Sequence, residues 1–417
     1  MPLATTAHPS TVRLGWLDLL RGVAALVVAA HHGAAYLTPD AWRAVNQWVN
    51  PGKYGVLLFF LISGYIIPAS LERHGKLRAF WIGRAARIYP LLLVCLVATV
   101  VPVGLGWWRL HPALTENGVF TAVAAHLTML QDLLGVPSAL NVLWTLSYEL
   151  VFYLLVAALF VARLHRASAA LTAGLATVAL VLGGVLPMAG LSEVFGAGPV
   201  ALAALVVLVG VVAAAVTGTL VRTAAVVGGC AGLALVLLNG RAGPWEGVSV
   251  LAVMFLGTAL YRAEHGQSPR WTGYAATAAV GGGTVAAGLW HGYDALGAAQ
   301  VRELVAIWAL PLLLALLSFA AGWAVRGRRT PRPLMTLGAI SYSVYLVHAI
   351  LLLPLHDRLD IGPSRPLALA GFLAATVALS WATHRWVELP CQRWGRTLAA
   401  PRPAPERAAP EPVGAGR

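Results

Sequence analysis

Arg21 and His32 carry the most chemistry per position, because they break an apolar stretch that is long enough to cross a bilayer. Ionisable groups at membrane depth are costly and default to a functional reading. Eleven residues is close to three helical turns, so both project from one face about 16 Å apart along the axis. His31 points about a quarter-turn away. A cation low on the helix and an imidazole high on the same face suit an anionic cofactor below and proton chemistry above. Taken alone, Arg21 also fits a snorkelling cytoplasmic anchor, and His32 an interfacial histidine. Asp18, one turn earlier, is placed to orient Arg21 through an i,i+3 pair.

Arg84 and Arg87 share a helical face just before another apolar run. Guanidinium groups grip phosphate bidentately, so this pair is expected to dock the phosphates of a nucleotide-bearing cofactor such as coenzyme A, supplied from the cytoplasm. Plain cytoplasmic anchoring is the alternative. Glu149 is the one carboxylate placed inside an expected span, about 10 Å below its outer end, and so reaches the same half of the membrane as His32. A carboxylate beside an imidazole fixes its tautomer and raises its basicity, as a general base requires. The alternative for Glu149 is a structural hydrogen bond between helices. Trp144 and Ser147 precede it, and Ser341, Tyr345 and His348 form an i, i+4, i+7 stripe; these five are the substrate-binding candidates. A polar stripe in lipid either lines a cavity or glues helices together. Ser63-Gly64 and Gly22 read as close-packing positions. Glu388 is expected to pair with a cytoplasmic arginine in a structural role.

These residues need helices in lipid to position them. The chain has 417 residues, 59% hydrophobic and 11% charged, with a mean hydropathy of +0.76; soluble domains run near a quarter charged. The class is therefore an all-α polytopic membrane protein. Hydropathy places spans near 15–36, 54–70, 88–106, 142–162, 168–189, 199–217, 221–239, 247–261, 271–290, 303–323, 335–355 and 366–387. That makes about 12, or ten if 199–239 is partitioned differently. Arg73, Lys76, Arg78, Arg84 and Arg87 lie in one loop and four arginines in Arg326–Arg332. Putting both loops inside leaves most of the 29 Lys and Arg cytoplasmic, with both termini inside. The net charge of +13 is thus a topology signal, and nucleic acid is not an expected partner. Cys95, Cys230 and Cys391 have neither disulfide nor metal-ligand spacing, so no metal is expected. Trp16, Trp107, Trp108, Trp271, Trp290 and Trp323 fall at span ends, as an aromatic belt requires. Within the long outer segment 107–141, Val119–Leu134 reads as an interfacial or re-entrant helix. The first helix reads as retained rather than cleaved. The organisation expected is a cytoplasmic segment 1–13, a membrane domain 14–397 and a disordered cytoplasmic tail 398–417.

Taken in order, Leu17-Asp18-Leu19-Leu20-Arg21-Gly22 with its ten-residue gap to His32, Phe-Phe-x-x-Ser-Gly at 59–64, Arg-x-x-Arg-Ile-Tyr-Pro at 84–90, Trp-x-x-Ser-x-Glu at 144–149 and Ser-Tyr-Ser-x-Tyr-Leu-x-His at 341–348 form a set. This set resembles the membrane-bound acyltransferase family 3, the O-antigen and exopolysaccharide O-acetylases. The resemblance runs from Leu17 to about Pro390. It implies an integral-membrane O-acyltransferase that moves an acyl group, most often acetyl, from acyl-coenzyme A to a hydroxyl of a glycan, a lipid-linked sugar or a glycosylated natural product. It implies His32 as the catalytic residue, with Glu149 beside it, and Arg21, Arg84 and Arg87 on the coenzyme A side. His32 acts either as general base or as an acyl carrier. Members are usually described with about ten spans. Many polysaccharide acetylases of the family also carry a soluble hydrolase-like domain after the membrane unit, and none is read here. Transfer is then expected to be completed by the membrane unit or by a separate protein. Expected partners are membrane lipid, acyl-CoA and a carbohydrate acceptor; a homodimer stays open. The Ala/Val/Arg-rich, Lys-poor composition suggests a GC-rich bacterial genome and so the bacterial cell membrane. The competing class is a proton-coupled transporter or lipid-linked-glycan flippase, disfavoured by the lack of inverted-repeat symmetry.

Overall fold

A computed structural model describes residues 15–107, 112–240, 243–291, 298–356 and 364–400. The segment 1–13 lies outside them, as does the tail from 401; Leu398 and Ala399 close the final helix instead of opening a disordered tail. The described residues are helical, without a strand. In order they form α1 (Gly15–Leu37), α2 (Pro39–Asn46), α3 (Pro51–His74), α4 (Leu77–Gly104), α5 (Val119–Leu127), α6 (Trp144–Val161), α7 (Ser168–Leu182), α8 (Gly190–Phe195) and α9 (Ala197–Thr217). Then follow α10 (Val221–Leu238), α11 (Pro244–Glu264), α12 (Arg270–His291), α13 (Ala298–Leu304), α14 (Leu310–Ala324), α15 (Arg332–Ala339), α16 (Ser341–His356), α17 (Pro366–Thr383) and α18 (Leu389–Ala399).

Among the described residues nine helices are long and apolar enough to cross a membrane, and a tenth span is the pair α15 and α16, bent by 63°. The chain is a multi-pass membrane protein. Each of the twelve hydropathy windows is helical, but two fall short as spans. α7 has 15 residues, about 22 Å of helix against a hydrocarbon core near 30 Å. α12 is long enough but diluted by glycine and threonine. The 199–239 window does hold two helices, parted at Gly218, whose φ of +82° ends α9.

α3 and α11 form the centre and touch through backbone. A Cβ on Gly64 would fall 1.7 Å from the Met254 carbonyl oxygen, and one on Gly257 would fall 2.2 Å from that of Leu61. Thr258 Oγ1 uses the closeness to donate to the Gly64 carbonyl at 2.8 Å. α7 packs between α11 and α12, α6 against α10 and α3, and α1 against α3, α15, α16 and α17. Gly22 meets Leu337 and Gly338 of α15, the close approach its small side anticipates. The outer faces are apolar: Val94, Val97 and Val101 on α4, Val206 and Val209 on α9, and Leu313 and Leu317 on α14 are exposed, as a lipid boundary requires.

Three local expectations change. Arg84 and Arg87 lie on helix, not in a loop: α4 starts at Leu77 and runs through Pro90, leaving Gly75 and Lys76 to join it to α3. Trp108 lies outside the described residues; Trp107, Trp271, Trp290 and Trp323 are exposed at helix ends, but Trp16 is 4% exposed, packed edge-on to Tyr65 and Phe319 with centroids 5.8 and 5.3 Å away. Val119–Leu134 is α5 plus a 3-10 turn at Gln131–Leu134, and neither spans. The segment is seated by Gln131, which donates to the Leu143 carbonyl, and by Asn239, which donates to that of Leu133, both at 2.8 Å. Val119, Phe120 and Val123 face outward.

Candidate active site

α1 carries Arg21 and His32, and α16 delivers Ser341, Tyr345 and His348 to it. His32 Nδ1 lies 3.0 Å from His348 Nε2, with the rings stacked at 5.3 Å. His348 is fully buried, and its Nδ1 lies 2.8 Å from the Val344 carbonyl one turn back. A carbonyl only accepts, so His348 Nδ1 holds the proton and its Nε2, in the neutral ring, offers a lone pair. His32 Nδ1–H must then be the donor across the 3.0 Å contact. That leaves the lone pair of His32 on Nε2, the form a general base needs.

Beside this pair, Arg21, Ser63, Arg87, Glu149, Ser341 and Tyr345 face one cavity of about 70 Å³ between α1, α3, α4, α6 and α16. Phe59, a further wall residue, packs edge-on to Tyr345, whose ring lies 5.9 Å from that of His348. Arg21 shares its electrostatic surroundings with Asp18, Glu149, Arg84 and Arg87. Arg84 sits on the faces of Phe80 and Tyr153, its Cζ 5.6 and 5.5 Å from their centroids. Arg21 and Arg87 line the cavity with one carboxylate, Glu149, while Arg84 stands behind it over Tyr153 and Asp18 lies near Arg21, a surplus of positive charge that attracts anions.

Glu149 does not meet His32. Its oxygen accepts from the Tyr153 hydroxyl at 2.5 Å, one turn along α6, and the group orienting His32 is His348. Ser147 is fully buried and spends its hydroxyl on the Met129 carbonyl at 2.6 Å, so it anchors the Val119–Leu134 segment and does not face the cavity. Trp144 also turns away. It packs edge-on to Phe60 and Tyr148, and Lys53 Nζ stands 5.3 Å from its ring centre while pairing with Glu246. Among the described residues Glu388 meets no arginine; it accepts from Ser343 and lies 3.3 Å from His384 Nδ1, in a π-helical turn.

Sequence reasoning missed Tyr153, although an i,i+4 tyrosine after Glu149 was visible. It also missed the ion pair of Arg262 with Glu72, which ties α11 to α3. Tyr345 is held by Thr145 Oγ1 at 2.8 Å and the Val142 carbonyl at 3.0 Å, a clamp no spacing announces.

This arrangement can be set against known proteins. The family model of an acyltransferase domain (acyltransferase 3) matches residues 14–385, nearly the whole of the described bundle. The chain belongs to the acyltransferase 3 family. Similar proteins include the acyltransferase MdmB of Streptomyces mycarofaciens, 33% identical over 35% of this chain and 39% of that protein. The peptidoglycan O-acetyltransferase OatA of Listeria monocytogenes is 30% identical over 33% of this chain and 23% of its own length. Nodulation protein 10 of Rhizobium leguminosarum is 31% identical over 33% and 41%. The matches therefore span less than half of each relative's length. No solved structure matches. Membership of the acyltransferase 3 family fits His32 held by the buried His348, because acyl transfer to a hydroxyl uses a positioned base.

Proposed function

We propose that this protein is an O-acyltransferase of the bacterial inner membrane, with both termini cytoplasmic. It takes an acyl group, acetyl in the simplest case, from acyl-coenzyme A and passes it to a hydroxyl of a glycan, a lipid-linked sugar or a glycosylated natural product. The observation that carries this reading is the His32–His348 pair, proton positions fixed by the Val344 carbonyl, next to the cavity of Arg21, Arg87 and Glu149. Arg84, Arg87 and Arg21 hold the phosphates of the donor from the cytoplasmic side. His32 Nε2 removes the acceptor's hydroxyl proton as the oxygen attacks the thioester carbonyl. The C–O bond forms, the C–S bond breaks, and the coenzyme A thiolate leaves to take up a proton. The charge gained by His32 is shared through Nδ1–H with His348, so the hydrogen bond strengthens when the proton arrives. Glu149 and Tyr153 offset part of the arginine charge. Glycan acceptance is supported by the peptidoglycan O-acetyltransferase among the relatives.

The test is purified protein in detergent with radiolabelled acetyl-coenzyme A, wild type against His32→Ala. Expected is coenzyme A release that falls by about 10²- to 10⁴-fold in the variant, the range a positioned base supplies. Label retained on wild-type protein but not on the variant would replace the base role with an acyl-histidine relay. Absence of acetyl-coenzyme A binding would sink the reading and turn attention to transport.

A further inference from the structure

The outer end of α1 holds a second polar group that the chemistry above does not use. His31 stands between the ring of His32, with centroids 5.4 Å apart, and that of Trp42 on α2, 5.9 Å away. α3 closes the third side: a Cβ on Gly52 would lie 2.6 Å from His31 Cδ2. Here His31 Nδ1, Trp42 Nε1 and Asn46 Oδ1 are all buried without a hydrogen-bond partner among the described residues. Trp42 and Asn46 are four apart and so share one face of α2. Their neighbours Ala41, Arg43, Ala44, Val45 and Gln47 are exposed. Buried polar atoms in native proteins are overwhelmingly paired, so three unpaired ones at one corner require an explanation. An ordered water, an ion or a ligand group is what satisfies such atoms.

The atoms also state what would satisfy them. Trp42 Nε1–H only donates, Asn46 Oδ1 only accepts, and His31 Nδ1 does either according to its tautomer. An ionised phosphate oxygen cannot donate to Asn46, an ammonium cannot accept from Trp42, and an alkyl group does neither. A hydroxyl does both through one oxygen.

We infer that His31, Trp42 and Asn46 form a subsite for a second hydroxyl of the acceptor, adjoining the one that His32 deprotonates. This rests on the reading of His32 as the acceptor's base. It narrows the acceptor to molecules with neighbouring free hydroxyls, as on a sugar ring, and excludes simple monohydric alcohols as good substrates. His31 and Trp42 act as binding residues, and neither moves the transferred proton.

The experiment measures acetyl transfer by the full-length protein from acetyl-coenzyme A to methyl β-D-glucopyranoside and to 1-propanol. Wild type is expected to favour the glucoside in kcat/KM by at least about tenfold, and His32→Ala to lose transfer to both. Trp42→Phe keeps the ring and deletes only the N–H. It should cut the preference roughly three- to tenfold, the worth of one hydrogen bond, through the KM for glucoside with the KM for acetyl-coenzyme A unmoved. His31→Phe should do the same. If wild type shows no preference, including no transfer to either alcohol, or if both variants keep the wild-type preference, the subsite is overturned, while His32-dependent release of coenzyme A would leave the proposed function standing. Loss of acetyl-coenzyme A binding in wild type, or release indifferent to His32→Ala, overturns both.

Discussion

At the scale of single residues, the role of His32 depends on an acceptor 316 positions away. His348→Ala removes the partner of Nδ1–H and frees the His32 ring to turn or to take the other tautomer. We expect kcat to fall on the order of 10²-fold, part of what a positioned base supplies, with little change in the KM for acyl-coenzyme A. His348→Gln puts an amide oxygen in reach of Nδ1–H and should restore part of the rate, which a loss of packing alone would not allow. The residue types were legible in sequence, because Arg21, His32 and the 341–348 stripe stand out against apolar surroundings. Their pairing was not. Glu149 was matched to His32 because both sit at similar depth, yet depth fixes only one coordinate of three. Rotation about each helix axis, set by packing, turns Glu149 to Tyr153 and brings His348 to His32.

At the scale of elements, the site depends on how closely α3 and α11 cross. Gly64→Ala and Gly257→Ala would each drive a methyl group into the partner's backbone, where no side chain can yield. Each should destabilise by about 3 kcal/mol or more, at or beyond the upper end of ordinary overpacking. Gly83→Ala on α4 has nothing within 4 Å of the added methyl and should be neutral or stabilising by up to about 1 kcal/mol. Thermal unfolding of the detergent-solubilised variants, followed by tryptophan fluorescence, separates the two cases. The Ser63-Gly64 pair announced a close contact without naming its partner. Hydropathy marked every long helix, and two windows beyond the ten candidate spans among the described residues, because it registers the apolar character of α7 and α12 and not that one is short and the other glycine-rich. It also placed Arg84 and Arg87 in a loop, since charge reads as a break even where the helix continues.

At the scale of the molecule, lipid surrounds an apolar exterior while cations and carboxylates gather inside, the inverse of a soluble protein's surface. The Lys and Arg gathered in the Arg73–Arg87 and Arg326–Arg332 stretches predict the orientation, and both ends of the chain should stay in the cytoplasm. A reporter fused to the C-terminus that is active only in the cytoplasm should be active, and one that needs the periplasm should be silent; the reverse result would invert every side assigned to the cavity.

The pairing of α1 with α16 also has a consequence for biosynthesis. His32 of α1 leaves the ribosome 316 residues ahead of His348, its partner on α16. At typical synthesis rates the interval is on the order of tens of seconds. Throughout it, Arg21 and His32 are already in a helix bound for lipid, and neither Glu149 nor His348 has yet arrived at first. α1 must therefore wait at the insertion machinery or at the membrane surface, and the last third of the chain acts as the latch that draws it inward. A nascent chain stalled before Ser341 would hold most of the bundle and have no acceptor for the His32 proton.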